Sequence, residues 1–460
     1  MYAGVLERRR RQHHAAAAHG LEDLYAVRID DVVELLAHHF GRSAEAEKAV
    51  DYAILAAEKA QRRWANTEAL AYFGSALTRL ETMADTEPNR LRRLDAVVKQ
   101  SEIMFALGRH AEHVQALEAI RELAANADPE RRAAWLCWAG FLHSLTGSRP
   151  DIPIVYCNEA VALADLAGLD DMRALADCCL THVYVLAGRL NEAVETGERA
   201  LAFFESRRNV WWACRTLWAL SPAANALGEW SQSLEYCKKA LEYGQAVNDL
   251  RLKVVGWWRS GSTYIHQGDP ASGLRCCDEA LALSPIPFDA AMTRAVRGHG
   301  LLKAGEVRAA TVELEGAAMW FEQSRLRYTK AAVTVRLAEA YHAAGDGARA
   351  RKVVEEALAT SREGGARYLE GVAERVLGQA LTGVESEAAA EHLEVSKAIL
   401  EEIGARDEVA RTLVAQAGLR RAAGDARGAR RLLERAATIF ETLGTLDEPQ
   451  RVRASLTALD

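Results

Sequence analysis

Leu180-Thr181-His182-Val183-Tyr184-Val185-Leu186-Ala187-Gly188-Arg189-Leu190-Asn191-Glu192-Ala193 decides the fold once it is followed forward along the chain. Gly188 recurs as Gly228 and Gly268 at a spacing of 40 residues, then as Gly305 and Gly345 at the same spacing, and again as Gly424. Five residues after each stands a small residue: Ala193, Ser233, Gly273, Ala310, Ala350 and Ala429. Twelve after each stands alanine: Ala200, Ala240, Ala280, Ala317, Ala357 and Ala436. Four before several of them comes Tyr184, Tyr264, Leu301 or Tyr341. Such a register is the mark of a repeated supersecondary unit.

Each position has a physical reading. Glycine suits the left-handed backbone where one helix ends and the next begins. The two small residues lie seven apart, hence on one helix face, where they let a neighbouring helix come close. The preceding tyrosine falls in the last turn of the first helix and can pack into the same seam. The unit is a helical hairpin of about 40 residues, and its neighbours bury what one hairpin cannot. Only 9 prolines in 460 residues leave room for long helices. No stretch alternates apolar and polar residues between turn signals, so the chain reads as all-α.

The pattern resembles the tetratricopeptide repeat. Trp257, Gly261, Tyr264, Gly268, Gly273, Cys277, Ala280 and Pro285 carry the resemblance best. It implies an α-solenoid of about ten hairpins over residues 44–446, wound as a right-handed superhelix. The flanks, 1–43 and 447–460, read as helical caps, and Ser148-Arg149-Pro150-Asp151 reads as an irregular turn in a weaker copy. A second resemblance rests on Glu7-Arg8-Arg9-Arg10-Arg11-Gln12-His13-His14, Leu35-Leu36-Ala37-His38-His39-Phe40 and the segment from Ala49 to Arg79. These are similar to the region that joins motor and repeats in bacterial STAND-type ATPases, adenylate/guanylate cyclases and related transcription activators. The likeness implies a sensor half, whose motor domain would lie upstream in a longer parent chain.

Composition and motifs exclude several functions. Lys and Arg number 57 against 64 Asp and Glu, a net charge of −7, so the chain lacks the basic balance of a nucleic-acid binder. No apolar run is long enough to span a bilayer, and the expected location is cytoplasmic. There is no phosphate loop, no Gly-x-Ser-x-Gly elbow and no His-Glu-x-x-His pair, so neither a cofactor nor catalysis is expected. None of the 8 cysteines is spaced Cys-x-x-Cys, and they read as buried free thiols. His110 and His113 can share a helix face but lack a third ligand, so no metal site is expected. The Arg8–Arg11 run reads as a solvated helix face.

Tryptophan is the unusual signal: of 10 in the chain, six lie between residues 211 and 258. The resemblance implies that the first helix of each hairpin lines a concave groove. Aligned on the glycines, Trp218 and Trp258 take the same groove-facing slot in successive hairpins. Trp211 lies seven residues before Trp218, with Arg215 between them on the same face. His182, His266 and His299 should face the same groove. Glu102, Glu339 and His342 could face inward as the groups of an enzyme, but they come from distant repeats and have no orienting motif. An aromatic floor with an arginine suits an elongated ligand, a peptide or a segment of a partner protein. The competing reading makes these tryptophans core or inter-repeat packing. A further alternative is a small-molecule sensor whose aromatic pocket regulates an ATPase or cyclase.

Overall fold

Helix ends are written locally throughout the chain. At Gly188 the backbone turns left-handed, with φ +76°, and the N–H of Arg189 donates to the carbonyl of Tyr184 at 2.9 Å. That bond closes the end of one helix and aims the chain into the next. The starts are capped as well, by the Asn209, Asp249 and Asp269 side chains, which accept from the N–H groups of Trp212, Leu252 and Ser272.

The structure is a computed structural model that describes residues 7–63, 65–146, 152–283 and 286–459. The irregular turn at 148–151 and Pro285 lie outside these residues. Among them every regular element is helical. The chain forms two compact units, Met1–Trp138 and Ala139–Asp460.

The first unit carries α1 (Glu7–Leu24), α2 (Val33–Phe40), α3 (Ala46–Arg62), α4 (Asn66–Leu80), α5 (Glu87–Lys99), α6 (Ser101–Ala106), α7 (His110–Ala119) and α8 (Arg121–Ala125). α9 (Pro129–Thr146) runs across the boundary. α3 and α4 pair as a hairpin around buried Phe73, and Phe40 stacks on Tyr52 with ring centroids 5.2 Å apart. In the Arg8–Arg11 run, Arg8 and Arg9 are exposed and Arg11 pairs with Glu7.

The second unit continues with α10 (Ile152–Ala167), α11 (Asp170–Ala187), α12 (Leu190–Ser206), α13 (Val210–Leu227), α14 (Trp230–Ala246), α15 (Leu250–Gln267), α16 (Pro270–Ala282) and α17 (Pro287–Lys303). It ends with α18 (Val307–Gln323), α19 (Arg327–Ala343), α20 (Gly347–Glu363), α21 (Arg367–Leu381), α22 (Ser386–Glu402), α23 (Arg406–Ala422), α24 (Ala426–Leu443) and α25 (Glu448–Thr457). Each helix packs on the next, and from α11 to α23 the odd-numbered helices also touch one another as an inner layer. This is an α-solenoid of tetratricopeptide-like hairpins.

The alanine register is its seam. Ala193, Ala310, Ala350, Ala200, Ala280, Ala317 and Ala436 are all buried, as is Ser233. Phe321 and Phe440 fill the spaces beside them without exposure, each contributing about 2 to 3 kcal/mol by the area removed from water.

The inner layer curls until distant hairpins meet. α11 contacts α21, and α13 contacts α23. A Cβ on Gly188 would lie 2.9 Å from Ile403 Cγ2, and one on Gly268 would lie 2.2 Å from Asp447 Oδ1. These glycines therefore serve two ends: they turn the hairpin, and they let the far end of the solenoid dock on the turn. Lys303 secures the same docking by ion pairs to Asp447 at 3.1 Å and Glu448 at 2.8 Å.

Candidate functional site

The inner layer carries the unit's unusual polar chemistry, in two separate places. The first lies on α11, α13 and α15. Trp211 packs edge-on against Trp218 with centroids 5.9 Å apart, and Trp211 is half-buried while Trp218 and Trp258 keep only 5% and 4% exposure. The Arg215 guanidinium is buried over the Trp212 ring at 4.7 Å and near Phe141 at 5.5 Å. Arg259 stacks over Trp258 at 4.3 Å. Arg251 sits 5.8 Å over Trp218 and bonds Asp289 at 3.2 Å.

Electrostatics give this region its character. Burial, with the charges of Arg215 and Arg259 added, pushes the His182 imidazole down to about 3, so it is neutral. Burial also lowers the Arg259 guanidinium, to about 10, against the opposing influence of Cys237 and Asp289. Among the described residues Arg259 makes no ion pair. Its Nε, Trp218 Nε1, Trp258 Nε1 and His182 Nε2 are buried without a hydrogen-bond partner in the protein. A buried donor or acceptor left unmatched costs about 1 to 3 kcal/mol, so several such atoms on three adjacent helices call for an explanation.

The second place holds His266 and His299, with ring centroids 5.0 Å apart. They line a cavity of ≈ 290 Å³ with Arg336, Glu339, Arg375, Glu408, Arg411 and Glu448. Arg375 bridges Glu339 and Glu408, both at 2.9 Å. Arg336 reaches the same two carboxylates at 2.9 and 3.4 Å. Arg411 joins Asp407 at 2.7 Å to Glu448 at 2.5 Å. Burial alone would raise the Glu408 carboxyl, but the charges of Arg375, Arg336 and Arg411 carry it well below the carboxylate range. Burial followed by the Arg336 charge lowers His266 to about 4, and the same two causes hold His299 well below its ordinary value.

The structure thus divides the residues singled out from sequence. Trp211, Arg215, Trp218, Trp258 and His182 belong to the α11–α15 region, whereas His266 and His299 belong to the charged cavity. Glu339 and His342 line that cavity too. Glu102 belongs to the first unit and accepts from Gln61 at 2.9 Å. All eight cysteines are buried free thiols, and His113 is buried with its Nε2 2.8 Å from Ser101 Oγ. Trp257 packs against the core of the second unit, as does Trp212.

Sequence reasoning missed Arg259, Arg336, Arg375, Glu408 and Arg411. The available signal was a charge on the apolar inner face of a first helix, such as Arg375 between Ala373 and Val376–Leu377. Glu339, Arg375 and Glu408 lie one repeat apart on successive inner helices, and it is their burial that sets them apart from a solvated face.

No family model matches the sequence, and no curated protein matches it. Solved structures do. The chain is similar to the crystal structure of NprR in complex with its cognate peptide NprX, with a TM-score of 0.57 and 13% identity over 76% of this chain and 99% of that one. A Rap protein complexed with competence and sporulation factor aligns over 90% of this chain and 98% of its own, with 12% identity and a TM-score of 0.44. At these identities the likeness to NprR is one of fold: a solenoid of tetratricopeptide-like hairpins.

Proposed function

We propose that this chain is a non-catalytic regulatory scaffold that binds a peptide, or an extended segment of a partner protein, on the inner layer at α11, α13 and α15. One observation carries the reading. Arg259, Trp218 and Trp258 keep buried, unmatched nitrogens beside half-buried Trp211, and a ligand that displaces the Trp211 ring would bring carbonyl and carboxylate oxygens to them. The fold likeness supports it, since NprR was solved with a peptide bound. Among the described residues no helix is long and apolar enough to cross a membrane. In a longer bacterial signalling protein, occupancy would bias the curl of the solenoid and so relay to an ATPase or cyclase domain.

The test is selection of a displayed random-peptide library on the immobilised full chain. Enriched sequences should quench or shift tryptophan emission on titration. Their affinity should fall about tenfold to a hundredfold in Trp218→Ala or Arg259→Gln. Enrichment of the same sequences by the Trp218→Ala, Arg259→Gln double variant would overturn the assignment.

A further inference from the structure

The ion pairs around the charged cavity are matched almost completely, yet one wall is not. Glu339 and Glu408 are each held by Arg336 and Arg375, and Glu448 by Arg411 and Lys303. Asp407 is drawn to Arg411, and Asp447 to Lys303. Glu339, Glu408 and Glu448 line the cavity, but each is already neutralised by at least two cations. At His299 the charges that act most strongly are Arg336, His266, Lys303 and Arg411, every one of them positive when charged. Arg411, which lines the cavity, keeps its Nη2 buried without a partner in the protein. His266 Nδ1 lies 2.8 Å from the carbonyl of Ser262 and donates to it, so its Nε2 is the nitrogen free to take up a proton.

We propose that this cavity is an effector site for a small, multiply charged oxyanion, held by His299, His266, Lys303 and Arg411. The site is distinct from the aromatic surface on α11–α15 and does not depend on it. A volume of ≈ 290 Å³ admits an inorganic or small organic phosphate or a polycarboxylate, but no peptide of length. The remaining groups facing the histidines are Glu339, Arg336 and His342 from α19, Arg375 and Gln379 from α21, Glu408 from α23, and Glu448 and Arg451 from α25. An anion against the histidine pair replaces a positive potential with a negative one, so the imidazoles protonate as it binds and become donors to it. Because Lys303, Arg411 and Glu448 also hold α25 in place, occupancy strengthens the docking of the far end of the solenoid.

Thermal unfolding of the full chain tests this with inorganic phosphate, glycerol 3-phosphate and citrate as probes, each against sodium chloride of equal ionic strength. At least one probe should raise Tm above the chloride control, and by more at about pH 6 than at about pH 7.5. Affinity should tighten about tenfold per unit fall in pH for each proton taken up. Calorimetry in two buffers of different ionisation enthalpy counts those protons directly. The effective probe identifies the source: phosphate alone, an organic phosphate, or a carboxylate. His299→Gln should remove the pH-dependent increment. Lys303→Met should lower Tm in chloride, through the lost contact to α25, and remove the anion increment as well. If no probe exceeds chloride at either pH, or if both variants retain the full increment, the proposal is wrong.

Discussion

The N–H of Leu446 donates to the carbonyl oxygen of Gln267 at 2.7 Å, a main-chain bond between the segment after α24 and the last residue of α15. It joins two turns of the solenoid that the chain reaches far apart. Asp447 then packs on Gly268, and Glu448 on Lys303 and Arg411. The docked end is therefore fixed by backbone as well as by charge.

Gly268→Ala tests that docking. The substitution places a Cβ against Asp447 and in a backbone with φ +99°, so two penalties add. Gly345 is the control, because its φ is +80° and nothing lies within 4 Å of an added Cβ. Gly345→Ala should cost about 1 kcal/mol, and Gly268→Ala about 2 to 4 kcal/mol. Equal losses in urea denaturation would mean that the Asp447 contact is soft.

The buried ion network should behave as a unit. Removing one partner strands the others without solvent, so Arg375→Met should destabilise by about 3 to 5 kcal/mol. The double variant Arg375→Met, Glu408→Met should recover part of that loss. A double-mutant cycle on chemical denaturation reads the coupling.

Stability should fall with acid earlier than carboxylates alone would bring about. His182 and His266 titrate at 6.5 in the unfolded chain but near 3 and 4 when folded, and His299 also well below 6.5. Below about pH 6.5 the unfolded state therefore binds more protons, and stability drops as pH falls. Each imidazole contributes up to about 1.4 kcal/mol per pH unit. Glu408, held low, adds its loss only below the ordinary carboxylate range. Denaturation at pH 7.5, 6 and 5 should show the slope, and His182→Gln should flatten it.

In the aromatic cluster of α13 and α15, function and stability should separate. Arg259→Met removes a cation that makes no ion pair among the described residues, so it should leave stability within about 1 kcal/mol or raise it. Trp258→Phe removes an unmatched N–H and keeps most of the packing, at a cost of about 1 to 2 kcal/mol. Trp258→Ala empties a core site, at about 3 to 5 kcal/mol. Peptide binding should be lost in Arg259→Met even where unfolding is unchanged.

How much of this was legible follows from where each signal resides. The hairpin lies in the local register of Gly188, Ala193 and Ala200, so the sequence reveals it without help. The tryptophans were found by the same register, since Trp218 and Trp258 are one repeat apart. His266 and His299 share a slot-based argument with them, but His266 lies eight residues beyond Trp258 on α15, and it lines the charged cavity with His299. Arg375 and Glu408 stayed hidden because a lone charge on a helix ordinarily marks a solvated face. Their partners lie one repeat away on the neighbouring inner helices α19, α21 and α23, and burial there turns them into a network.

The docking of Gly188 on Ile403 and of Gly268 on Asp447 also sets the number of hairpins. An open array can gain or lose a unit and merely lengthen. Here, one hairpin inserted between α17 and α23 would carry Asp447 past Gly268 and leave Lys303 facing the wrong neighbour. The count between the two contacts is therefore as much a part of the design as any side chain. Such a unit should also melt in one step, because its ends are not free to fray independently.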